Sequence, residues 1–140
     1  MNTPLQRLLR PLIERRTSQL ADFLSSHLPR EGKVLDFGCG DGLVGAKLRD
    51  AGRLDVTGLD VLDYRLTDLA LCLYAGGPIP FCDDHFDATI AVFALHHTPD
   101  PFFYLREITR VTRHLLLILE DTFRNRVELA CTRCLDRFGN

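Results

Sequence analysis

The chain has 140 residues, with 17 lysines and arginines against 19 aspartates and glutamates and a formal net charge of −2. That length is about one domain, able to bury roughly two thirds of its unfolded surface, and the small net charge gives no sign of a nucleic-acid partner. No run of about 20 apolar residues exists and the N-terminus alternates arginine and leucine without a signal-peptide core, so a cytoplasmic protein with no membrane partner is expected.

Residues 4 to 28 read as a helix broken near Pro11, with Leu20, Phe23, Leu24 and Leu28 forming one apolar face and Pro29 and Gly32 ending it. Strands follow at 33–37 and 54–60, with a crossover helix at 42–51 between them. A third strand near 69–74 leads into the turn Gly76-Gly77-Pro78, a fourth runs over 88–93, and a helix over about 100–112 precedes a fifth strand from His114 to Leu119. Alternating strand and helix implies a parallel sheet. Residues 122–138 read as a final amphipathic helix, with Phe123, Val127, Cys131 and Cys134 at helical spacing. No repeat or linker divides the chain, so one domain is expected: a helical segment over 1–32, a core over 33–121 and a C-terminal helix over 122–140.

Five cysteines are an odd number and suggest no disulfide framework. Cys131 and Cys134 form a C-x-x-C, but no second pair stands at ligand spacing to complete a tetrahedral zinc set, and no metal is expected.

The chemistry concentrates in Asp36-Phe37-Gly38-Cys39-Gly40-Asp41-Gly42, directly after the apolar strand Lys33-Val34-Leu35. Glycines at such a turn allow backbone angles closed to other residues and let peptide N–H groups approach a ligand. Gly40-Asp41-Gly42-Leu43-Val44-Gly45 also satisfies the G-x-G-x-x-G pattern of dinucleotide binders. A pyrophosphate seeks the positive end of a helix, whereas this turn carries Asp36 and Asp41 and is followed by Asp60 at the next strand end. S-adenosylmethionine has no phosphate and carries a sulfonium and an ammonium, so the charge pattern favours it.

Val34 to Gly42 resembles the first motif of the class I S-adenosylmethionine-dependent methyltransferases. Val56-Thr57-Gly58-Leu59-Asp60-Val61 resembles their second strand, ending in the acid that holds the ribose hydroxyls. Ile79-Pro80-Phe81-Cys82-Asp83-Asp84-His85-Phe86-Asp87 and Phe93-Ala94-Leu95-His96-His97-Thr98-Pro99-Asp100-Pro101 are similar to the family's "LPF-x-D-x-x-F-D" and "LHH-x-x-D-P" stretches, in the right order. The resemblance covers about residues 33 to 120, and is strongest to the small-molecule (type 11-like) branch. It implies a Rossmann-like three-layer α/β sandwich with a mostly parallel sheet of order 3-2-1-4-5 and S-adenosylmethionine as cofactor.

By the same resemblance, Gly38, Gly40 and Gly42 would present backbone to the methionine and ribose portions, Asp36 would sit near the ammonium and sulfonium, directly or through water, and Asp60 would accept from both ribose hydroxyls. Cys39, Val61, Ala75, Gly76 and Phe93 complete the expected cofactor contacts, and His96 or His97 would take a proton from the acceptor. Glu120 and Asp121 either face a substrate or start the final helix; Phe102, Phe103 and Tyr104 are expected to pack their helix. The arginines at 7, 10, 15 and 16 form a solvated face, while Leu5, Leu8, Leu9 and Leu12 could close over a substrate as N-terminal helices do in the family.

Three departures from the family stand out. Val61 to Asp68 is too short for a crossover helix, unless Asp63, Tyr64 and Arg65 fold back to replace part of the adenine wall. Ala75 or Gly76 stands where the family has an acid that bonds the adenine amine. The family's last two strands have no counterpart before Asn140, which would truncate the sheet and leave the apolar run Leu115 to Leu119 as an edge. Either the final helix covers that edge or the chain associates through it, as a homodimer or with another protein. Methyl transfer to a small molecule is the leading function. A non-catalytic binding or regulatory subunit is the alternative, and a dinucleotide-dependent oxidoreductase, which would need a substrate half, comes third.

Overall fold

The computed structural model describes residues 4–121. Five strands, β1 (Glu31–Phe37), β2 (Arg53–Asp60), β3 (Ala70–Leu73), β4 (Phe86–Val92) and β5 (Thr112–Leu119), form one sheet in the order β3-β2-β1-β4-β5 with every pairing parallel. The two central strands are buried on both faces, through Val34, Leu35, Asp36 and Phe37 in β1 and Ala88, Thr89, Ile90 and Ala91 in β4. Such runs suit a parallel sheet covered on both sides.

Helices supply the two outer layers. Leu24 and Leu28, from α1 (Pro4–Ser25) and the turn after it, and Leu48 of α2 (Leu43–Ala51) pack with Val34, Val56 and Ile90 on one face. On the other, Ile108 and Val111 of α3 (Pro101–Val111) pack with Leu35, Phe37, Leu59 and Phe86. The three-layer Rossmann-like arrangement and the strand order are those expected from the resemblance. α3 begins with Asp100 accepting from Phe103 N at 3.0 Å and with Pro101 in the first turn, where its missing N–H costs no helical bond.

Two expectations for α1 need correction. The helix runs unbroken through Pro11, which is exposed, so the carbonyl that loses its partner one turn back can be hydrated. Its buried stripe is Thr17, Ala21 and Leu24, continued by Leu28 beyond the helix end at Ser25. Phe23 falls outside that stripe, is 51% exposed and rests against the His27 ring instead.

The connection from β2 to β3 holds no helix, as its length dictated. It is tied back by Leu66 N donating to Asp41 O at 2.8 Å, by Arg65 Nη1 donating to Leu69 O at 2.5 Å and by the fully buried Leu69. At the opposite end of the sheet, β5 pairs only with β4 among the described residues. Leu115, Leu117 and Leu119 pack toward the α1–α2 layer and Leu116 toward α3. The expected final helix at 122–138, with Cys131 and Cys134, lies outside the described residues. Among those described, no helix is long and apolar enough to cross a membrane.

Candidate functional site

The carboxyl ends of β1, β2 and β4 open into a cleft of ≈ 410 Å³, and strand ends of an open parallel sheet are where ligands bind. Gly38 and Gly40 form one wall. Gly38 sits at φ +70, and a Cβ there would lie 2.5 Å from the Ala94 side chain, so backbone conformation and close approach both require glycine. Its N–H donates to Leu59 O at 2.8 Å, which fastens the turn to β2.

Asp60, the last residue of β2, lines the facing wall with Val61, Leu62 and Tyr64. Its carboxylate is oriented by three backbone donors: Gly40 N to Oδ2 at 2.9 Å, Val61 N to Oδ1 at 2.7 Å and Leu62 N to Oδ1 at 3.4 Å. A carboxylate offers about four lone-pair sites, so capacity remains for a ligand's hydroxyls. Val61, Leu62 and Tyr64 bring the short β2–β3 connection to the cleft, while Asp63 and Arg65 pair with each other at 2.8 Å.

Asp36 is placed differently. It is 3% exposed and does not line the cleft. Strand alternation puts it on the Val34 face, toward α2, while Phe37 takes the cleft side. A Cβ on Gly45 would lie 2.8 Å from Asp36 Oδ2, an oxygen without a hydrogen-bond partner among the described residues. Burial, then the charges of Asp41 and Asp60, push its pKa from 3.8 up to about 7, and the Gly45 N–H offsets only part of this. The three carboxyl groups thus stand near one another around the turn, and Asp41 accepts from Leu43 N at 3.0 Å at the start of α2. Cys39 is also buried, packed on Gly58 of β2, and burial with the two nearby aspartates raises its thiol to about 12, so it stays protonated. Gly42 is buried against Thr67.

Past β4, Phe93 takes a positive φ of 54 and lines the cleft, its N–H donating to Leu119 O at 2.7 Å and its ring lying 5.4 Å from the Arg16 guanidinium. Left-handed backbone at a bulky residue is strain that the surrounding contacts hold in place. Arg16 of α1 is exposed, as a solvated face requires, and lies over the Phe93 ring. His97 lines the cleft; His96 does not. Glu120 accepts from His96 Nδ1 at 2.5 Å and from Leu95 N at 2.8 Å, and the two histidine rings lie 4.0 Å apart. Glu120 therefore serves to fix the turn at Leu95–His97, and Asp121 is exposed.

Of the expected site residues, Gly38, Gly40, Asp60, Val61, Phe93 and His97 meet around one cleft, while Asp36, Cys39, Gly42, Ala75, Gly76 and His96 stand behind or beside it. Ala75 and Gly76 are exposed. The cleft also takes in Tyr74 and Tyr104, which the sequence reading did not assign to it. Tyr104 packs on the core beside Phe37 and Phe103 as expected and also lines the cleft, whereas Phe102 is 75% exposed. Position +1 from the end of β3 and the periodicity of α3 were the available signals. Among the described residues no group of three or more histidines, cysteines and acids could hold a metal ion.

An all-parallel sheet of this order, with a glycine turn after its first strand and an acid at the end of its second, defines a Rossmann-like α/β domain. The methyltransferase domain family matches residues 35–115, and the chain belongs to it, within the class I S-adenosylmethionine-dependent methyltransferases. The chain is 31% identical to the 27-O-demethylrifamycin SV methyltransferase of Amycolatopsis mediterranei, over 72% of this chain and 43% of that protein. It is 27% identical to the tRNA U34 carboxymethyltransferase of Nautilia profundicola, over 62% and 33% respectively. A Haloferax volcanii methyltransferase, solved in complex with the Trm112 methyltransferase activator, superposes with a TM-score of 0.61 at 28% identity, covering 72% of this chain and 50% of that one. The chain spans less than half the length of the curated relatives it matches.

Proposed function

We propose that the cleft binds S-adenosylmethionine and that the protein transfers its methyl group to a small-molecule acceptor. The observation that carries this reading is Asp60, held by three backbone N–H groups with its carboxylate on the cleft wall opposite the glycine turn. An acceptor-only group suits a ribose diol, and the carboxyl groups of Asp36, Asp41 and Asp60 around the turn suit a cation better than a pyrophosphate. Aromatic and apolar side chains, Phe37, Val61, Leu62 and Phe93 among them, suit the ring and methionine portions.

When bound, the cofactor supplies an electrophilic methyl group on a positively charged sulfur. Gly38 and Gly40 present backbone to it, Asp60 fixes the ribose, and Asp36 stays buried behind the turn without contact. His97, on the cleft wall, takes a proton from the acceptor hydroxyl, amine or carbon acid. Glu120 and His96 act as positioning residues that hold the His97 turn. The rifamycin relative's name supports a small-molecule acceptor, whereas the tRNA relative makes RNA the acceptor class to test against it. The half-exposed β5 edge is the surface proposed for a second copy or a protein partner, a reading supported by the activator complex of the Haloferax relative.

Calorimetric titration with S-adenosylmethionine and S-adenosylhomocysteine tests the site without an acceptor, with NAD and Asp60→Ala as controls. Micromolar binding that weakens on the order of 10- to 100-fold in the variant is expected, from the value of hydrogen bonds to a charged group. A folded chain that binds neither ligand would overturn the assignment and favour a non-catalytic subunit.

A further inference from the structure

We propose that the hydroxyls of Tyr74 and Tyr104 read the edge of the cofactor's purine, as donors and acceptors both, where a carboxylate was expected. The inference rests on the cleft being the S-adenosylmethionine site. Ala75 and Gly76, the positions at which the sequence lacks the expected acid, are exposed and contribute nothing to the cleft wall. Tyr74, immediately past β3, and Tyr104, from α3, line it instead.

Both rings are held in place. Tyr74 N donates to Asp60 O at 3.1 Å, which puts this tyrosine on the strand next to the ribose acid. The Tyr104 hydroxyl accepts from Gly77 N at 3.3 Å, and a Cβ on Gly76 would come within 3.2 Å of that oxygen, so the glycine at 76 makes room for it. Phe37, at a centroid distance of 5.8 Å, and Phe103, edge-on at 5.2 Å, flank the Tyr104 ring. Burial first, then Tyr104, Glu107 and Asp60, push the Tyr74 pKa upward, so it is a neutral hydroxyl at physiological pH.

The chemistry differs from that of a carboxylate in a way binding can read. An ionised carboxylate only accepts, so it bonds the 6-amino group of adenine and repels the 6-oxo group of hypoxanthine. A tyrosine hydroxyl donates one hydrogen bond and accepts others, so a pair can rotate to match either edge: amino donor with N1 acceptor, or oxo acceptor with N1–H donor.

The test is calorimetric titration of the full chain with S-adenosylhomocysteine and S-inosylhomocysteine, for the unaltered protein, Tyr74→Phe, Tyr104→Phe and Asp60→Ala. The unaltered protein should bind the two ligands within about 10-fold of each other, and each phenylalanine variant should lose about 2- to 10-fold for S-adenosylhomocysteine. Rejection of S-inosylhomocysteine by more than about 100-fold, or unchanged affinity in both variants while Asp60→Ala weakens binding, overturns the tyrosine assignment and leaves the site standing. No binding of S-adenosylhomocysteine by folded protein overturns both. Should Tyr104→Phe not fold, Tyr74→Phe and the ratio between the two ligands decide.

Discussion

The turns after β1 and β2 handle an aspartate in opposite ways. After β1 the chain closes tightly over its acid: Asp36 lies 3% exposed beneath α2, with one oxygen unpartnered among the described residues and its ionisation opposed by burial and then by two neighbouring carboxylates. After β2 the chain opens, and Asp60 stands on the cleft wall with both oxygens already accepting from backbone. The connection that follows leaves Val61, Leu62, Tyr64 and Leu66 exposed. One turn stores charge at a cost in stability so that the glycine backbone can be shaped above it. The other presents charge cheaply, because turn N–H groups that need acceptors supply the orientation.

The largest expected effect comes from forcing the closed turn open. Gly38→Ala meets both a left-handed φ of +70 and a contact of 2.5 Å with Ala94. The conformational penalty and overpacking together give a loss of roughly 2–5 kcal/mol, read from denaturant midpoints.

Asp36→Asn removes the stored charge. The native pKa of about 7 lies above the unfolded 3.8, so the folded chain holds this proton more tightly. That contribution is fully present below pH 3.8 and is lost as pH rises to about 7, worth at most roughly 4 kcal/mol. The asparagine variant should therefore match the parent near pH 4 and exceed it in stability at pH 8, as thermal melts across that range would show. Parallel curves at every pH would mean that Asp36 is not held in a charge-opposing site.

The turn after β4 belongs with the open kind, since Glu120 supplies its acceptors. Glu120→Ala should cost about 1–2 kcal/mol by removing the acceptor that Leu95 N uses. The smallest effect is expected at Leu66, 77% exposed, where Leu66→Ser should shift stability by no more than about 0.5 kcal/mol. A loss several times larger would show the β2–β3 connection to be covered in solution.

Much of this contrast was legible in the residues. The glycine turn, the acid ending β2 and the helix-free connection at Val61–Asp68 follow from spacing alone, and strand–helix alternation with the family motifs gives the sheet order. The direction of Asp36 was legible too, through parity: it shares a strand face with Val34, and Phe37 takes the other. Tyr74 and Tyr104 had only weak signals, their place after β3 and on α3, because what brings them to one cleft wall is tertiary: the contact of Tyr104 with the Gly77 turn. Pro11 misled through a rule that holds for buried helices and relaxes at an exposed position. Phe23 misled because hydrophobicity was read without the phase of Thr17, Ala21, Leu24 and Leu28.

The position of β1 has a consequence for the order in which the protein assembles. β1 pairs with β2 on one side, a local event, but its other neighbour is β4, and the bond from Lys33 N to Asp87 spans 54 residues of sequence. Long-range parallel pairing is slow, because loop closure must precede any reward from the contact. The second edge of Val34–Phe37 therefore waits, apolar and unpaired, until the segment Phe86–Val92 arrives to cover it. Ala94, against which Gly38 closes, comes just after that same segment. The glycine turn is expected to take its final shape only once that segment is in place, and an interrupted chain would pause with a central strand unpaired on one side.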